Sequence, residues 1–145
     1  MSRKFTLTAA AMLGVALGVT GLSFAKDESP LEKQMTAIQA KTNAIRKATR
    51  TLPAWKKDQA NVAKDAEAIS KLATEARKDK GPAEAQKKSF SDWSKLMDDM
   101  IKSSDELAAL AKKSDATQAQ AKDAFTGLNK TCSACHSVFR VDDEK

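Results

Sequence analysis

Tyrosine is absent from this chain of 145 residues, which holds only five Phe, two Trp, five Gly, three Pro, two Cys and a single His. Scarce Gly and Pro beside abundant Ala, Lys, Asp and Glu make a helical composition, and no segment has the alternation of a strand. Two cysteines cannot build a disulfide framework of the kind that stabilises small secreted domains. One domain is expected at this length, and with aromatics at 5% its core is thin and needs help from elsewhere.

The one long apolar run lies at the start. Ser2, Arg3 and Lys4 precede apolar residues 5–19, and a short tail ends Leu22-Ser23-Phe24-Ala25. This is the plan of a secretory signal peptide over residues 1–25, with Ser23 and Ala25 at the small-residue positions and cleavage before Lys26. An uncleaved membrane anchor is the competing reading, since 6–24 approaches a bilayer-spanning length. The glycines, threonines and small-residue tail favour cleavage. The remaining domain, 26–145, has 120 residues (145 minus 25), and losing Arg3 and Lys4 leaves it with a charge of 23 minus 19, or +4. Export to a bacterial periplasm is expected, with no stable membrane association afterwards.

A strong excess of charge of one sign is also missing, the domain being mildly basic. Basic pairs such as Arg46-Lys47, Lys56-Lys57, Lys87-Lys88 and Lys112-Lys113 are scattered among acids, without the interleaved aromatics of a nucleic-acid surface. They read as solvated helix faces, with docking to an acidic partner as the weaker option.

Four segments carry apolar or small residues at alternating steps of four and three, the seam of helices packed at a shallow angle. The first is Leu31, Met35, Ile38, Thr42, Ile45, Thr49, Leu52, and the second Trp55, Gln59, Val62, Ala66, Ile69, Ala73, Ala76. Phe90, Trp93, Met97, Met100, Ser104, Leu107 and Ala111 make the third; Ala121, Phe125, Leu128, Cys132, Cys135 and Phe139 make the fourth. Ser29-Pro30-Leu31-Glu32 is a capping box with proline at the first helical position. Pro53, Gly81-Pro82 and the stretch 114–118 punctuate the rest. The fold class predicted is all-α: an antiparallel up-down-up-down four-helix bundle with helices near 31–52, 55–80, 83–113 and 116–140.

Both cysteines and the only histidine fall within Cys132-Ser133-Ala134-Cys135-His136. Cys-x-x-Cys-His is the attachment signature of c-type haem. Two thiols one helical turn apart can each form a thioether with a haem vinyl group, and the adjacent imidazole is then carried to the iron as an axial ligand. A thioredoxin-like redox pair would want a strand-to-helix context and gains nothing from His136. A zinc site lacks its fourth ligand, and a disulfide three residues long within one helix would staple little. One covalent haem c, with its iron, also supplies the missing core.

A Cys-x-x-Cys-His-x-x-Phe-Arg string at the C-terminal end of an exported, Ala- and Lys-rich four-helix chain resembles the class II cytochromes c, the group of cytochrome c-prime and cytochrome c-556. Cys132, Cys135, His136, Phe139 and Arg140 match that ending position by position. Trp93 resembles an aromatic found in the third helix of some members, whereas the Arg-Gln pair common on the first helix of the c-prime type is here Lys33-Gln34. The resemblance implies two alternatives for the far side of the iron: a five-coordinate iron with an open face, or a methionine ligand from helix one, as in the c-556 type.

Three methionines lie beyond the leader. With helices one and four antiparallel, Met35, roughly 8 Å from the start of the first, stands level with His136, roughly 6 Å from the end of the fourth. Met97, roughly 21 Å along a helix beginning at 83, and Met100 beyond it are expected to be core. The resemblance also puts the c-556 ligand at Met35. His136 and Met35 are thus the expected metal ligands, with an open face beside Met35 as the alternative. Trp93 and Phe90 are expected to line the haem pocket. Arg140 is placed for a propionate contact or for solvent, with Lys33 and Gln34 as further propionate candidates.

The function expected is one-electron transfer with redox partner proteins, by a monomer or a homodimer. The alternative is a binder of nitric oxide or carbon monoxide, which requires the open face. Peroxidase-like catalysis lacks a distal imidazole, since the only His is taken as ligand, so no enzymatic activity is expected.

Overall fold

The computed structural model describes residues 28–140. The leader expected over 1–25 and its cleavage site lie outside the described residues. These fold into five helices with no strand among them: α1 (Pro30–Thr49), α2 (Leu52–Ala76), a short α3 (Gly81–Ala85), α4 (Phe90–Ala111) and α5 (Gln118–Phe139). The four long helices pack in a ring, α1 on α2, α2 on α4, α4 on α5 and α5 back on α1, with the last contact less extensive than the other three. This is the four-helix bundle expected from the seams. No helix among the described residues is long and apolar enough to cross a membrane.

Each long helix starts where a side chain satisfies its orphan amides. The Ser29 hydroxyl accepts from the Glu32 N–H while the Glu32 carboxylate accepts from the Ser29 N–H, and Pro30 opens α1. Thr117 and Gln120 repeat the device at α5. Thr51 caps α2 and Ser89 caps α4 through single hydroxyl acceptors.

Several boundaries differ from the sequence expectation. α1 ends at Thr49, and Pro53 sits inside the first turn of α2, where a missing N–H costs nothing. Leu52, expected as the last seam residue of helix one, therefore opens α2 and is 52% exposed. α2 ends at Ala76, and Gly81-Pro82 begins α3. The helix expected at 83–113 is interrupted after α3, because Lys87 takes a φ of 51°, a left-handed conformation that a right-handed helix cannot accommodate. The bundle helix restarts at Phe90. α5 begins at Gln118, two residues later than expected.

The core follows the seams: Ile38, Ile45, Trp55, Val62, Ile69, Met97, Leu107, Phe125 and Leu128 are all buried. Most of its polar seam positions are satisfied by backbone carbonyls. Thr42 and Thr49 donate to the carbonyls of Ile38 and Ile45, one turn back. The Gln59 amide donates to the Ala111 and Lys113 carbonyls, closing orphan acceptors at the end of α4. Trp55 Nε1–H donates to the Ala116 carbonyl, and the Gln118 amide to the Thr49 carbonyl. This last bond ties the start of α5 to the end of α1, so the two run antiparallel.

Candidate cofactor-attachment site

In α5 the spacing Leu128, Cys132, Cys135, Phe139 keeps one face turned inward. Leu128, Cys135 and Phe139 are buried and Cys132 is half-buried. Both cysteines are free thiols. His136, one position and about 100° further round the helix, is exposed. The hydroxyls of Ser133 and Ser137 donate back to the carbonyls of Asn129 and Ala134, so neither competes for the inner face.

Burial sets the thiol acidity. Desolvation raises the Cys132 pKa, and the Cys135 pKa is pushed up to about 11, first by burial and then by the charge of Cys132. Both are protonated, nonionic groups at neutral pH, so what the protein provides at these positions is placement rather than a preformed thiolate.

Trp93 braces this end of α5. It is buried, its ring meets Phe139 edge to face at 5.3 Å and 78°, and its Nε1–H donates to the Ala76 carbonyl at 3.1 Å. One indole thus joins α4, the end of α2 and the last turn of α5. Phe90, expected beside it, is 37% exposed, with the Lys80 ammonium 5.8 Å above its ring. It stands at the rim.

Met35 is half-buried on α1 and packs against the core, as Cys132 does from α5. Lying five residues after Pro30, it is roughly 7.5 Å along α1, and His136 is roughly 4.5 Å from the end of α5. Antiparallel packing puts both at the same end of the bundle. Met97 and Met100 are buried core residues, as expected, but Met97 stands lower along its helix than expected. Counted from Phe90, it is roughly 10 Å along α4, close to the level of Met35. The difference between them is enclosure: Met97 is fully buried, whereas Met35 is only half-buried.

Arg140 forms the C-cap of α5 and is exposed, its backbone N–H bonded to the His136 carbonyl. Lys33 is exposed and Gln34 half-buried, both near the start of α1. An open groove between α4 and α5 escaped the sequence reading. It is lined by Leu96, Asp99, Ser103, Lys130, Thr131 and Ala134, so the outer side of the Cys-x-x-Cys turn forms part of its wall. Only the i, i+4 steps around Leu96 could have hinted at it.

No cluster of three or more His, Cys, Asp and Glu among the described residues would cage a bare metal ion. The donor set is instead two unpaired thiols one turn apart on one face, with a single accessible imidazole beside them. That chemistry fits covalent attachment of haem c through Cys132 and Cys135, with His136 available to the iron. The family model described as Cytochrome C' matches residues 31–140. Neither curated proteins nor solved structures give a match to the chain.

Proposed function

The chain belongs to the cytochrome c′ family of class II cytochromes c, which bind a covalently attached haem c for electron transfer or gas binding, and from that premise we propose that it is a one-electron carrier. When bound, the haem supplies an iron that cycles between ferric and ferrous. Cys132 and Cys135 would hold it by thioether bonds, and His136 and the Met35 thioether would be the protein's ligands to its iron. A His/Met pair raises the reduction potential by favouring the ferrous form.

The observation that carries this reading is Met35: a half-buried thioether at the same end of the bundle as His136, packed against the core without being enclosed by it. A side chain needed only as filler gains most from full enclosure, as Met97 has. Trp93 and Phe139 restrain the last turn of α5, which keeps the imidazole position fixed and limits rearrangement on electron transfer. Arg140 is assigned to a haem propionate.

Members of the family are typically periplasmic, and the leader read at 1–25 supports export of this chain to the periplasm, where it would exchange electrons with protein partners. The test is carbon monoxide. Reduced wild-type protein with Met35 bound leaves the gas no site, and Met35→Ala takes it up. Rapid, complete carbon monoxide binding by the wild type would instead assign the protein to gas binding.

A further inference from the structure

The end of the bundle opposite the cysteines has a charge distribution that fold stability does not account for. Arg46, Lys47, Arg50, Lys56 and Lys57 surround the α1–α2 connection, all exposed and all within about one or two helical turns of its tip. None of the five forms an ion pair among the described residues; Arg46 donates only to the neutral Asn43 side chain. The acid beside them, Asp58, accepts from Asn61. Basic residues at the end of α1 suit its dipole, but α2 has no acid in its first turn and follows that turn with Lys56 and Lys57, against the usual preference of a helix start. α1 and α4 each place an acid there, Glu32 and Asp92.

At the apex of the same connection stands Leu52, at 52% the more exposed of the two large apolar side chains left uncovered among the described residues. Thr51 and Pro53 beside it are exposed as well. The tip is a convex helical hairpin, with one projecting leucine ringed by unpaired cations. The cysteine end differs: Arg77 pairs with Asp98 and Lys78 with Glu75, and Glu84 and Asp92 flank Lys87 and Lys88 in the sequence.

We propose that the α1–α2 tip docks reversibly on an anionic lipid bilayer, with Arg46, Lys47, Arg50, Lys56 and Lys57 among the headgroups and Leu52 entering the interfacial boundary. Basic residues near such a surface attract it roughly additively, and one inserted leucine adds an apolar contribution that salt does not screen. A flat, deformable layer of negative headgroups suits a convex tip better than an acidic protein, which would need a matching concave face. The α5 start that abuts this end lies fourteen residues, roughly 21 Å, from Cys132. Docking here would therefore hold the protein at a membrane with its haem end turned outward.

The experiment is co-sedimentation of the haem-loaded protein, followed by its Soret absorbance, with vesicles of equal parts phosphatidylglycerol and phosphatidylcholine and with pure phosphatidylcholine. Binding is expected to the anionic vesicles alone and to be released by added salt. Lys56→Gln with Lys57→Gln is expected to weaken it about 25-fold, at about fivefold per charge. Lys87→Gln with Lys88→Gln, at the other end, should change it less than about threefold, and helical circular dichroism verifies that both variants fold. Leu52→Ser should weaken binding while leaving its salt dependence in place. Equal losses for the two lysine pairs, equal binding to neutral vesicles, or no vesicle binding would each overturn the proposal, the last pointing to an acidic protein as the occupant.

Discussion

Replacing Trp93 by Phe tests how the end of α5 is held. The indole is 3% exposed, donates to the Ala76 carbonyl and stacks edge to face on Phe139. Phe keeps a ring but loses the N–H and three heavy atoms. The hydrogen bond contributes about 1 kcal/mol, without a further penalty for a stranded acceptor, because the Asp79 N–H also donates to the Ala76 carbonyl. The unfilled volume adds about 1–2 kcal/mol, for a total near 2–3 kcal/mol. Trp93→Ala should lose about 4–5 kcal/mol, including the ring pair, which a double-mutant cycle with Phe139→Leu would put at about 0.5–1.5 kcal/mol. Urea unfolding of the haem-loaded variants, followed by far-ultraviolet circular dichroism, gives these differences directly. A Trp93→Phe protein within about 0.5 kcal/mol of wild type would refute the bracing role.

Four further outcomes follow from the structure. Ser104 is fully buried and its hydroxyl lacks a partner among the described residues, so Ser104→Ala should stabilise the bundle by about 1 kcal/mol in the same assay, and a loss of that size would refute the assignment. In protein prepared without haem, Cys135, with its pKa near 11, should react with iodoacetamide very slowly at pH 8 and faster as pH rises toward that value; reaction at the rate of an unfolded peptide would contradict its burial. Because the folded state raises this pKa above the ordinary 9.0, the same unloaded protein should lose stability as pH climbs from about 9 to about 11, and denaturation midpoints across that window measure it. Thr117→Ala, which removes the capping box of α5, should cost about 1 kcal/mol, and a midpoint unchanged from wild type would contradict the capping role.

Much of the fold was legible because the seams are local patterns. Every seam position of α2 except Gln59 is buried, as are Trp93 through Ala111 on the α4 seam. The failures lie at the ends, where single residues decide. Pro53 reads equally as a breaker or as a first-turn residue, and only the Thr51 cap selects the second, carrying Leu52 out of the core. The break before Phe90 had a signal in Ser89 followed three residues later by Asp92, but Lys87 in a left-handed conformation leaves no mark in a sequence. Long-range bonds such as Gln59 to the end of α4, or Trp93 to Ala76, depend on which helices become neighbours, and a seam pattern does not carry that. At the site, the Cys132 to His136 string was readable because its chemistry is compact. The separation of Met35 from Met97 was not, since it turns on where α4 begins and on how fully the bundle encloses each side chain.

Whether Met35 completes the iron's coordination is read from the spin state of the haem-loaded wild-type protein, by absorption and electron paramagnetic resonance. Methionine ligation predicts low-spin iron in both oxidation states, converted to high spin by Met35→Ala. High-spin iron in the wild type, unchanged by that substitution, would contradict it.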